Sequence, residues 1–139
     1  MLVYARQAAN AEPTIPRYWS NIGTALYGLG RFDESARFLE EAARREMRQE
    51  QLFYTLSLCY MNLKQPAIAA ARFRTANDIS GGNPEYLSSL GFALLASGDT
   101  EGARVAWRQV LARWPEHEET RKAYDQFFGS DSAATRGGP

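Results

Sequence analysis

Residues 17–48 read RYWSNIGTALYGLGRFDESARFLEEAARREMR, and this stretch decides the fold. Apolar and small residues recur every three or four positions on both sides of Leu29-Gly30. That spacing puts them on one face of an α-helix. The stretch therefore predicts two short amphipathic helices joined by a glycine-containing turn. A pattern of the same kind returns twice, each time 34 residues on, without an insertion. A fixed period of that size is the mark of a chain built from stacked units.

The columns of the repeat have a physical logic. With Trp19 as the fourth position of a unit, Phe53 and Leu87 share its column. The eighth column holds Gly23, Ser57 and Gly91, and the twentieth Ser35, Ala69 and Ala103. Two helices cross closely only where side chains are this small. Large residues then fill the space beside the crossing, and the twenty-fourth column supplies Leu39, Phe73 and Trp107. The twenty-seventh holds Ala42, Ala76 and Val110, and the thirty-second Pro13, Met47, Gly81 and Pro115. Gly30 and Gly98 occupy the turn, where glycine takes the left-handed conformation that ends a helix. Lys64 stands there in the second unit, with Pro66 two residues later as a natural first residue of the next helix.

Helices are accordingly expected over 17–29, 33–45, 53–63, 66–79 and in a third pair within 84–115. Asn83 and Pro84 suit the cap and first residue of that third pair. After Pro115, the stretch EHEETRKAYDQFFG places Tyr124, Phe127 and Phe128 on one apolar stripe. It reads as a capping helix over 116–128, followed by a small, polar tail over 129–139 expected to be disordered. Residues 1–13 align with the second helix of a unit whose first helix is missing, so the chain is read as a half repeat or a piece of a longer array. Apolar residues at Met1 to Tyr4 would then lie at an open edge, where a second copy of the chain or preceding residues would cover them.

The motif W-x-N-I-G-x-A-L…G-x-F-x-E-S…L-x-x-A in residues 19–42 resembles the tetratricopeptide repeat. The second unit matches more weakly, and the third through Leu90, Gly91, Gly98, Ala103, Trp107 and Pro115. The resemblance covers roughly residues 1–128 and implies an all-α, right-handed superhelical solenoid of antiparallel helix pairs. Three full repeats lie at about 16–49, 50–83 and 84–115, with the half repeat before and the cap after. It also implies a non-catalytic protein-interaction module whose first helices line a concave groove. By the family's groove positions, the first repeat offers Arg17, Ser20, Asn21, Thr24, Tyr27 and Gly28. The second offers Gln51, Tyr54, Thr55, Leu58, Met61 and Asn62, and the third Glu85, Ser88, Ser89, Phe92, Leu95 and Ala96. Leu58, Met61, Phe92 and Leu95 are not required by the repeat's own packing, so an apolar or amphipathic partner segment is expected. Family members that clamp acidic C-terminal tails carry paired Lys and Asn at these positions, and that set is absent here. Other readings within the resemblance are a chaperone for secreted bacterial proteins and a docking or regulatory segment of a larger enzyme.

Composition narrows the rest. Sixteen basic and sixteen acidic residues cancel, and nothing points to nucleic acid or an anionic membrane. No apolar run approaches a membrane span, and no signal peptide is visible, so the cytoplasm is the expected compartment. His117 is the only histidine, which excludes multi-histidine metal sites, and the run HEETR lacks the second histidine of the zinc-protease motif. It reads as a solvated first-turn residue among Glu116, Glu118 and Glu119. Cys59 shares its column with Ala25 and Ala93 and reads as a small buried packer. Gly81-Gly82 lacks the Lys-Ser/Thr of a phosphate loop. No enzyme chemistry, metal or cofactor is expected.

Overall fold

A computed structural model describes residues 16–45 and 48–129. The helix expected over 1–12, with the chain-to-chain contact read into it, lies outside the described residues, as does the tail from 130 on. Seven α-helices and no strand make up the described part: α1 (Pro16–Gly28), α2 (Phe32–Arg44), α3 (Glu50–Asn62), α4 (Pro66–Ser80), α5 (Pro84–Ala96), α6 (Thr100–Arg113) and α7 (Glu118–Phe128). The pairs α1–α2, α3–α4 and α5–α6 pack internally, each second helix packs on the next first helix, and α7 closes on α6. This is the expected all-α solenoid. The starts differ most at α3 and α7, at Glu50 rather than Phe53 and at Glu118 rather than 116. In each case an acidic residue opens the first turn, where the positive end of the helix dipole favours it.

Prolines begin α1, α4 and α5. The Asn83 side chain accepts hydrogen bonds from the Glu85 and Tyr86 amides at 2.8 and 3.3 Å, so the start of α5 is capped as the sequence suggests. Each of the four turns that end α1, α3, α4 and α5 closes in one way. An amide two or three residues past the helix end reaches back, as in Arg31 N–H to Leu26 O (3.0 Å), Gln65 to Tyr60 (2.8 Å), Gly82 to Asn77 (3.1 Å) and Asp99 to Leu94 (2.8 Å). This closure needs a left-handed residue just before that amide. Gly30, Gly81 and Gly98 supply it at φ of 77°, 78° and 92°, and Lys64 at 61°. A side chain at such a φ costs about 1 kcal/mol. Lys64→Gly, at an exposed site, is therefore expected to raise stability by roughly 0.5–1 kcal/mol, part of the relief being offset by glycine's greater freedom in the unfolded chain. Urea melts of the two proteins check this.

The small columns sit at the crossings. A Cβ on Gly23 would stand 2.5 Å from Leu39 Cγ, and one on Gly91 2.1 Å from the Trp107 indole nitrogen. Ser57 occupies the same column fully buried, its hydroxyl turned back to donate to the Phe53 carbonyl at 2.8 Å. Ser35 spends its hydroxyl on the Gly23 carbonyl (2.6 Å) and accepts from the Cys59 thiol (3.3 Å). Cys59 is fully buried, and burial pushes its thiol pKa up, which suits packing and disfavours thiolate chemistry. On the second-helix side, Glu40 joins three helices. It accepts from the Tyr60 hydroxyl (2.7 Å) and pairs with Arg72 (2.7 Å). Burial first, and then that bond, push the Tyr60 hydroxyl up to about 12.

Candidate functional site

The first helices α1, α3 and α5 carry the residues assigned to the groove, and α1 touches α3 directly as well as its own partner α2. Of those residues, Arg17, Asn21, Thr24, Gly28, Gln51, Asn62, Glu85 and Ala96 are exposed. Ser20, Tyr27, Tyr54, Leu58, Met61, Ser89, Phe92 and Leu95 are half-buried. Thr55 and Ser88 are not surface residues: they are 7% and 2% exposed. The reason lies in the neighbouring helices. Ser88 accepts a hydrogen bond from Thr120 of α7 at 2.8 Å, and its carbonyl accepts from the Trp107 indole at 3.0 Å.

The four apolar groove residues also need correcting. Leu58, Met61, Phe92 and Leu95 all pack against the core cluster around Trp107, so the repeat does use them. Phe92 meets the Trp107 ring edge-on at a centroid distance of 4.9 Å. Each keeps part of its side chain at the surface. The core therefore holds their positions. Tyr54 is held in the same way. Its ring lies 5.1 Å from Tyr86 and 5.9 Å from Phe73, and the Tyr86 hydroxyl donates to Glu50 at 3.2 Å. Burial chiefly, and then the negative charge of Glu85, hold the Tyr54 hydroxyl above its usual pKa.

His117 is not solvated. Its side chain is 13% exposed, with Nε2 2.7 Å from Glu85 Oε1 and Nδ1 2.8 Å from Thr120 Oγ1. A carboxylate offers no proton, so Nε2–H is the donor to Glu85. This contact ties the cap to the groove helix α5. Glu119 completes the group: ligand atoms of Glu85, His117 and Glu119 all lie within 4.8 Å of one another. They are the set among the described residues able to converge on a cation. The sequence signal for this site was the HEE run opening the last helix, and the missing information was which residue of the third repeat it faces. In the cap, Tyr124 and Phe128 are buried as the apolar stripe suggests, whereas Phe127 stays 47% exposed with its ring 6.0 Å from that of Trp107.

An open cleft of about 930 Å³ lies elsewhere, between Trp19 and Phe38, the charged face of α2, and Tyr60 and Leu63. Its rim is Asp33, Glu34, Arg37, Glu40, Glu41 and Arg44. Glu41 is held by hydrogen bonds from Arg44 and Arg45, which lower its pKa. Local ion pairs of this kind offset one another's charge. No described helix is long and apolar enough to cross a membrane.

Comparison with known proteins agrees with this architecture. Tetratricopeptide-repeat profiles match residues 20–46 and 84–109, the first and third repeats. A BBSome complex member BBS4 homolog of Drosophila melanogaster is 32% identical over 100 residues, covering 72% of this chain and 21% of that protein. The chain spans about a fifth of the length of the curated relatives it matches. Among solved structures, YrrB, described as a TPR protein with an unusual peptide-binding site, superposes with a TM-score of 0.83 at 18% identity, over 97% of this chain and 71% of that one. The first TPR of Spaghetti (RPAP3), bound to the HSP90 peptide SRMEEVD, superposes with a TM-score of 0.71 at 18% identity, over 84% and 93%. These likenesses establish the fold and not the ligand. The unbroken register of 34 residues, the shared turn closure and the two profile matches agree that this chain belongs to the tetratricopeptide-repeat family.

Proposed function

We propose that the chain is a non-catalytic protein-interaction module, a scaffold or adaptor segment that takes an apolar or amphipathic peptide or helix along α1, α3 and α5. One observation carries the reading: Tyr54, Leu58 and Met61 of α3 and Phe92 and Leu95 of α5 all pack on one core cluster while each stays partly exposed. Contiguous apolar surface of that kind usually marks a binding site, and an amphipathic helix presents apolar residues at matching intervals. Peptide binding by solved neighbours of the same fold supports it. The likeness to BBSome complex members supports a place within a larger assembly rather than a catalytic role.

Fluorescence anisotropy with labelled amphipathic peptides tests this. Leu58→Ala is expected to weaken binding by about 1–2 kcal/mol, or roughly five- to thirty-fold. Because Leu58 also touches the core, the variant melts earlier, so binding is read at a temperature where both proteins are folded. Val105→Ala, 46% exposed on α6, is the control and leaves affinity unchanged. Equal affinities for wild type and Leu58→Ala would place the site elsewhere. The peptide SRMEEVD is expected to bind no tighter than about micromolar, since the groove holds Arg17 but no lysine. Tight, salt-sensitive capture of that acidic tail would refute the partner chemistry.

A further inference from the structure

Among the described residues five polar side chains are buried: Ser35, Thr55, Ser57, Ser88 and Thr120. Four of them are hydrogen-bonded. Ser35 donates to the Gly23 carbonyl at 2.6 Å and Ser57 to the Phe53 carbonyl at 2.8 Å, and Thr120 donates to Ser88 at 2.8 Å. Thr55 is the exception. Only 7% of it is exposed, yet its hydroxyl has no hydrogen-bond partner among the described residues. A helical threonine can turn back to the carbonyl four residues earlier, as Thr75 does to Ala71 at 3.1 Å. Thr55 makes no such bond to Gln51, and its hydroxyl keeps an opening to solvent.

Helical spacing says where that opening lies. Thr55 stands four residues after Gln51 and three before Leu58, so the three share one face of α3. Gln51 is exposed and Leu58 half-buried on that face, whereas Leu52, Phe53, Leu56 and Cys59, on the other sides, are buried. A partner that covers Leu58 therefore closes the opening and strips the hydroxyl of its water. A buried hydroxyl left unpaired is unfavourable, so the partner must bring a hydrogen-bonding group with it. We propose that Thr55 is the recessed polar contact of the groove and takes the side-chain carboxamide of a glutamine or asparagine set among the partner's apolar residues. The proposal rests on the groove reading above and adds a polar requirement to an otherwise apolar contact. Two points of chemistry select the carboxamide. An ion would lose most of its water in so enclosed a place, and the main chain of a helical partner is already hydrogen-bonded within itself. A carboxamide is neutral, reaches in on a side chain, and can both accept from a threonine hydroxyl and donate to it.

The probes are amphipathic helical peptides of leucine, alanine and lysine in which one glutamine is moved along the apolar stripe. Each has a methionine twin of similar shape. Anisotropy titrations compare wild type with Thr55→Val, which keeps the shape and removes the hydroxyl, and with Thr55→Ser, which keeps the hydroxyl. Circular dichroism confirms that all three are folded. At one stripe position wild type should prefer glutamine to methionine by about tenfold. The preference should fall to near one in Thr55→Val and persist in Thr55→Ser. Thr55→Val should also melt no earlier than wild type, since it removes no intramolecular hydrogen bond. A preference undiminished in Thr55→Val would overturn the proposal, as would no preference at any position. A clearly lower melting temperature for Thr55→Val would overturn it too, by assigning the hydroxyl to the fold. In each of these cases the groove reading stands, provided Leu58→Ala still weakens the peptides. If no peptide binds, the groove reading fails and the proposal with it.

Discussion

Trp107→Ala is expected to cost about 3–5 kcal/mol of stability, the range for deleting a large buried aromatic ring. Trp107 is fully buried and lies where three elements meet. Its ring packs edge-on against Phe92 of α5 and against Phe128 of α7 at 5.8 Å. Its indole N–H donates to the Ser88 carbonyl, which the alanine variant leaves without that partner in a buried setting. The effect should also reach the site: with the ring gone, Phe92 loses its backing and α7 loses a contact that holds His117 and Glu119 over Glu85. Urea denaturation followed by far-UV circular dichroism checks the loss. Trp107→Phe, which keeps most of the apolar volume, should lose clearly less. If Trp107→Ala melted like wild type, the third repeat and cap would not share the core described here.

One substitution, glycine to alanine, should have opposite signs at two positions of the solenoid. Gly91→Ala places a Cβ 2.1 Å from the Trp107 indole nitrogen and 2.4 Å from Cδ1, distances at which the ring or the helix must move. The ring cannot yield cheaply, being packed on its other sides and hydrogen-bonded to Ser88. Overpacking of this kind costs typically about 1–3 kcal/mol, and it outweighs the gain of up to about 1 kcal/mol that alanine brings within a helix. A net loss near 2 kcal/mol is expected. Gly28→Ala meets nothing within 4 Å at the exposed end of α1. There the propensity gain stands alone, and stability should rise by a few tenths of a kcal/mol. Parallel melts of the two variants decide the matter. Equal effects in one direction would mean that the eighth column does not mark the helix crossing.

Much of this was legible along the chain. The small residues at Gly23, Ser57 and Gly91 marked the crossings before any coordinates, because contact between paired helices leaves no room for a larger side chain. Lys64 was placed in the turn column, and it takes the left-handed conformation because a turn of fixed length must close on the same backbone bonds in every repeat. Asn83-Pro84 was read as a helix start for the same local reason. These features depend on neighbours within one unit, and the period of 34 residues supplies three readings of each.

The surface was less legible. Family positions assigned Thr55 and Ser88 to the groove and treated four apolar residues as free, yet two are buried and the other four lean on the core. Likewise the sequence left His117 in solvent, whereas α7 brings it onto Glu85, 32 residues away. The sequence by itself determined the repeat, its turns and its crossing points, since those are set by sterics between residues close along the chain. Only the tertiary structure decided which of the outward-facing residues remain outward. That depends on the angle at which the cap docks on the last pair, where a single helix has no repeated copies to reveal its register.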